Sequence, residues 1–79
     1  MNWHKTLQVI YSKLESNGFS DVAHEIHEGQ LSGGTAGEIF DIVVTILISI
    51  KNNQTDVYEI IKSEVDSLID YGKSIGYLR

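Results

Sequence analysis

Two residue types are missing altogether: the 79 residues include no cysteine and no proline. Without cysteine no disulfide can brace a small core, and no thiolate cluster can hold zinc. A domain of this length buries only about 60% of the surface its unfolded chain exposes, so packing alone must hold it together. Without proline, the turns of a many-stranded barrel or sandwich lose their usual rigid residue, which points to long uninterrupted elements. Basic residues are scarce too: 6 Lys and Arg stand against 11 Asp and Glu, a net charge of −5. A nucleic-acid binder needs a basic face to displace counterions, and so does a protein that sits on an anionic membrane. Neither partner is expected. The longest apolar stretch is broken by Asp41, Thr45 and Ser49, short of a membrane span. Met1-Asn2-Trp3-His4-Lys5-Thr6 lacks the apolar run of a signal peptide. The expectation is one soluble, acidic, cytoplasmic domain over residues 1–79.

The 42% hydrophobic share is too high for a disordered tail, and its spacing is helical. Trp3, Leu7, Ile10 and Leu14 recur every three or four residues, which puts them on one face of a helix over residues 2–17. Asn2 suits its N-cap and Gly18 its left-handed C′ position. A short second helix is expected over residues 20–28, with Ser20 as N-cap, Val22, Ala23 and Ile26 inward, and Gly29 at its end. Leu31-Ser32-Gly33-Gly34 reads as a loop. Thr35 and Glu38 match a capping box, in which hydroxyl and carboxylate each satisfy a backbone donor.

The third segment, residues 36–52, holds Ile42-Val43-Val44-Thr45-Ile46-Leu47-Ile48. By β-propensity this is a strand. Its polar residues decide otherwise: Glu38, Asp41, Thr45, Ser49 and Asn52 fall on one stripe of a helix but on both faces of a strand. A helix apolar over most of its circumference is expected to be the central one. The fourth starts near Thr55 and ends at Gly72 or Gly76, with Val57, Ile60, Ile61, Leu68 and Ile75 inward. Short loops imply antiparallel neighbours. The predicted fold is all-α, a small four-helix bundle with three long helices and one short.

The charge is segregated. Between Lys13 and Lys51 there is no basic residue, while Glu15, Asp21, Glu25, Glu28, Glu38 and Asp41 give that stretch a net charge of −6. Such a stretch is either a solvated face that aids solubility or a docking surface for a basic protein. The candidate partner-binding residues are Asp21, Glu25, Glu28, Glu38 and Asp41; Tyr58, Asp66 and Asp70 form the fallback surface.

Other motifs carry less. His24, His27 and Glu28 have helical metal-ligand spacing, but no fourth ligand is evident and the zinc-protease spacing is not matched. Gly33-Gly34-Thr35-Ala36-Gly37 precedes a helix as phosphate loops do, without their lysine and with Glu38 and Asp41 to repel phosphate. Glu64 falls inside the apolar arc of the fourth helix, so it either reaches out at the bundle edge or meets a basic or hydroxyl partner. Trp3, Tyr11, Tyr58, Tyr71 and Tyr77 suit the core edge, and Tyr77-Leu78 is placed to fold back onto the bundle. No nucleophile–base pattern appears. No catalytic residue, cofactor or metal is expected.

Leu14-Glu15-Ser16-Asn17-Gly18-Phe19-Ser20-Asp21-Val22-Ala23, and then Leu31-Ser32-Gly33-Gly34-Thr35-Ala36-Gly37-Glu38-Ile39-Phe40, resemble small all-helical immunity proteins of contact-dependent growth-inhibition and polymorphic-toxin loci. The shared feature is the helix start from Gly34 to Ile39, and the resemblance covers residues 14–50. It implies a cytoplasmic protein that binds and blocks a toxin domain, often a nuclease. A nuclease is basic where it holds phosphates, so an acidic inhibitor fits it. The alternative is a helical adaptor that dimerises through whatever apolar surface the third helix leaves uncovered.

Overall fold

The turn after the first helix shows how closely local sequence sets this backbone. In a computed structural model that describes residues 2–76, α1 spans Trp3–Ser16 and is capped by Asn2, whose side chain accepts from the Lys5 amide. It ends in a complete Schellman motif. The Phe19 amide donates to the Leu14 carbonyl at 2.8 Å and the Gly18 amide to that of Glu15 at 3.3 Å. Gly18 takes φ +83°, a conformation that glycine enters without a Cβ penalty.

α2 spans Ser20–Ser32, which corrects four expectations. Ser20 is not the N-cap: Phe19 holds that place with no side-chain cap bond. Nor is the helix short, since all four helices have 13 to 20 residues. Gly29 does not end α2 because it serves as a packing position. A Cβ built there would lie 2.5 Å from Ile46 Cδ1 and 3.3 Å from Ile42 Cγ2, so the missing side chain lets α3 approach. Leu31 and Ser32, expected in a loop, form the last turn.

α3 spans Ala36–Asn53. Thr35 Oγ1 accepts from the Glu38 amide at 3.2 Å, as the capping box requires. The return bond lands one residue early, from the Gly34 amide to Glu38 Oε2 at 3.3 Å. Glu38, Asp41, Thr45, Ser49 and Asn52 are all exposed, while Phe40, Val43, Val44, Leu47 and Ile50 are buried. α4 spans Thr55–Ser74. It stops before Gly76, at φ +83°, whereas Gly72 is buried within it. Ile61, fully buried, has non-helical angles (φ −116°, ψ 17°) and kinks α4; no proline or glycine flanks it.

Each helix packs on two neighbours: α1 on α2 and α4, and α3 on the same two. The helices therefore stand at four corners, and α3 is not central as expected. Its surplus isoleucines explain this: Ile39, Ile46 and Ile48 lie half-buried against the core rather than in it. The radius of gyration, 11.6 Å, equals the roughly 11.6 Å of a compact domain this long. No strand occurs among the described residues, and no described helix is long and apolar enough to cross a membrane. The expected return of Tyr77-Leu78 falls outside the described residues.

Candidate partner-binding site

All five candidate carboxylates are exposed. Asp21, Glu25 and Glu28 recur at i, i+4 and i+7, so they form one stripe along α2. Glu25 is four residues before Gly29, which places the stripe on the flank toward α3. Among the described residues the carboxylates of Asp21, Glu25 and Asp41 have no ion pair or hydrogen bond. Glu28 lies 3.3 Å from His24 Nε2, and Glu38 is bound to the Gly34 amide. Asp41 departs from the group. It shares a flank with Ile48, seven residues on, on the other side of α3 from Ile42 and Ile46 that meet α2. The acidic segment thus presents an α2 ridge with Glu38 at its end, and Asp41 turned toward α4.

A second exposed stripe lies beside the first. Ser20, His24, His27 and Leu31 follow the same period on the α1 side of α2, and Leu31 is 66% exposed. Between this stripe and α1 runs a cleft of about 340 Å³, lined by Tyr11, Glu15, Ser20, Ala23, His24 and His27. Tyr11 is fixed at two points. Its hydroxyl donates to Gln30 Oε1 at 2.8 Å, and its ring stands edge-on to His27 at 5.8 Å and 83°. Burial pushes its phenol up to about 12. Sequence reasoning missed this cleft: Tyr11 and Glu15 are four apart on α1, but nothing local says which flank of α2 they meet.

The histidines do not converge as ligands. His24 sits with Glu28, His27 turns to Tyr11, and no group of three metal-ligating side chains forms among the described residues. In the glycine-rich loop the Gly34 amide donates to Glu38, which sets a carboxylate at the mouth of the loop.

Glu64 met a basic partner. Both of its oxygens lie 2.9 Å from Lys13 Nζ, and its side chain is only 15% exposed. This pair ties α1 to α4. Of the fallback surface, Tyr58 and Asp66 are engaged with each other while Asp70 is exposed. Tyr58 Oη donates to Asp66 Oδ1 at 2.6 Å, and Lys51 Nζ lies 3.4 Å from the same oxygen and 5.5 Å from the Tyr58 ring centre. The Tyr58 hydrogen bond holds the Asp66 carboxyl below its usual range, and the bond to Asp66 raises both Tyr58 and Lys51. Three further aromatics cluster in the core: Phe40 meets Trp3 at 5.3 Å and Tyr71 at 5.7 Å, both in T-shaped contacts. The large apolar side chains most exposed among the described residues are Val9, Leu31 and Ile75, none of them on α3, whose Ile39, Ile42, Ile46 and Ile48 are half-buried.

Comparison with protein-family models, with curated proteins and with solved structures finds no match to this chain.

Proposed function

We propose that this protein is an inhibitor that docks an acidic surface onto a basic protein domain, as an immunity protein neutralising a nuclease toxin in the cytoplasm. The observation that supports it is the α2 ridge: three exposed carboxylates in one stripe, two of them unpaired among the described residues, in a stretch without lysine or arginine. Exposed, uncompensated charge of one sign attracts a partner of the other and speeds its association. A toxin that binds phosphates must carry the opposite charge around its cleft. Covering that cleft is sufficient to inhibit, so the reading asks no catalytic step of this chain. The resemblance of residues 14–50 to immunity proteins points the same way.

The test has two parts. The full chain serves as bait in its native host, and the retained protein is identified. That protein is then assayed for nuclease activity with increasing amounts of the chain. The reading requires a basic partner whose activity is titrated away at one equivalent. A partner of neutral or acidic character, or an active one left untouched, contradicts it.

A further inference from the structure

We infer that the cleft between α1 and α2 receives an arginine side chain of the basic partner, which centres docking on this cleft rather than on the acidic residues at large. The inference rests on the docking reading above and gives it a place. Its basis is the composition of the cleft, which carries more than charge.

An arginine asks for a flat ring to stack on and a carboxylate to bond to, because guanidinium is planar, weakly hydrated and donates in pairs. Tyr11 and Glu15 supply both from the same flank of α1, one turn apart. The opposite wall adds the imidazoles of His24 and His27 and the hydroxyl of Ser20. At about 30 Å³ per water, the roughly 340 Å³ of the cleft holds one long side chain and several waters. The ring is already positioned, because Gln30 holds its hydroxyl and His27 packs against it at 83°. Binding therefore need not order it, and pre-ordered groups lose less on association. The Glu15 carboxylate has no partner among the described residues, so its bonds are open. Lys13, the lysine closest to it in sequence, points away and is held by Glu64. At the rim, Leu31 continues the Ser20–His24–His27 stripe and offers apolar contact beside the polar pocket.

Lysine fits less well. Its ammonium is a strongly hydrated point charge that gains little from a ring face at a wet site. The cleft is therefore a discriminator between two cations that a bare acidic patch treats alike.

The experiment titrates the full chain with deca-arginine and with deca-lysine at low salt, following the ring signals of Tyr11, His24 and His27 and the backbone amides by NMR. Deca-arginine is expected to bind about threefold more tightly, the size of an exposed cation–ring contact, with the largest shifts on those rings. Glu15→Gln, at an exposed site with no partner, is expected to abolish the preference without altering the helical spectrum. Tyr11→Ala is expected to do the same, and Tyr11→Phe to keep the preference. Equal binding of the two peptides, with shifts spread over Asp21, Glu25, Glu38 and Asp41, overturns the cleft and leaves the acidic docking surface standing. No binding of either peptide overturns both.

Discussion

Tyr58 and Asp66 are joined across a break in their own helix. The Tyr58 hydroxyl donates to the Asp66 carboxylate at 2.6 Å, and Ile61 lies between them with non-helical angles. Eight residues of regular helix rise about 12 Å, so this bond ties together the two halves of α4 over two turns. Lys51 of α3 binds the same oxygen, which fastens the kink to the neighbouring helix.

Tyr58→Phe is therefore expected to lower Tm at neutral pH. The carboxyl of Asp66 is depressed in the folded state, so its contribution is present above the ordinary carboxylate range and fades as pH falls through the folded value. The Tm difference between the parent and the variant should shrink on acidification. Thermal melts of both proteins across a pH series measure this. An unchanged Tm at neutral pH contradicts the latch.

Gly29 makes a prediction about coupling. Alanine there gains about 1 kcal/mol of helix propensity, but its Cβ would sit 2.5 Å from Ile46 Cδ1. Gly29→Ala alone is expected to gain less than this or to lose stability. In an Ile46→Val background, which lacks the clashing methyl, the same change should be more favourable than in the parent, with the 3.3 Å approach to Ile42 Cγ2 holding its gain below about 1 kcal/mol. Denaturant unfolding of the four proteins tests it, and strictly additive effects would remove Gly29 as the reason α2 and α3 approach.

Breaking the pair Lys13–Glu64 should cost more when Glu64 is the residue left alone, because it is the less exposed partner. Lys13→Met is expected to cost about 1 kcal/mol, at the top of the range for exposed pairs, by leaving a half-hidden carboxylate unpaired. Adding Glu64→Leu should recover that loss, since position 64 lies among Val57, Ile60 and Leu68 on its helix. A double variant no more stable than Lys13→Met would show that Glu64 has enough water to stand alone.

Tyr11 should be the late tyrosine. Its phenol is raised to about 12, so the folded chain resists its ionisation. A raised folded value means that stability is full below the ordinary phenol value and is lost as pH climbs from there through about 12. An ultraviolet titration of the folded protein should show late phenolate absorbance that Tyr11→Phe reduces by one tyrosine, leaving the raised Tyr58. Late absorbance of undiminished amplitude in the variant contradicts the assignment.

Helix periods, the Asn2 and Thr35 caps and the exposed polar stripe of α3 were legible from residue spacing, because each is set within a few residues. The length of α2 was not. Gly29 carries the same local signal whether it ends a helix or admits a neighbour, and only the isoleucines of α3 distinguish the two. The position of α3 was misread for a related reason: an almost wholly apolar helix can fill a centre or a corner whose flanks are both covered. At the candidate site, the α2 ridge follows from spacing alone. The divergence of Asp41 and the cleft at Tyr11 and Glu15 do not, since both depend on which helix stands beside which.

The most direct test of the docking account is the association rate with the basic partner, measured over a range of salt concentrations for three proteins. These are the parent, a variant with Asp21→Asn, Glu25→Gln and Glu28→Gln on the α2 ridge, and a variant with Glu38→Gln and Asp41→Asn on α3. Rim charges act mainly on the on-rate, and screening grows as the Debye length falls to about 10 Å at 0.1 M salt. The account predicts a parent rate that falls steeply with salt, a ridge variant that is slower and nearly flat, and an α3 variant between the two. Rates that coincide for all three proteins at every salt concentration would show that the acidic segment is only a solvated face.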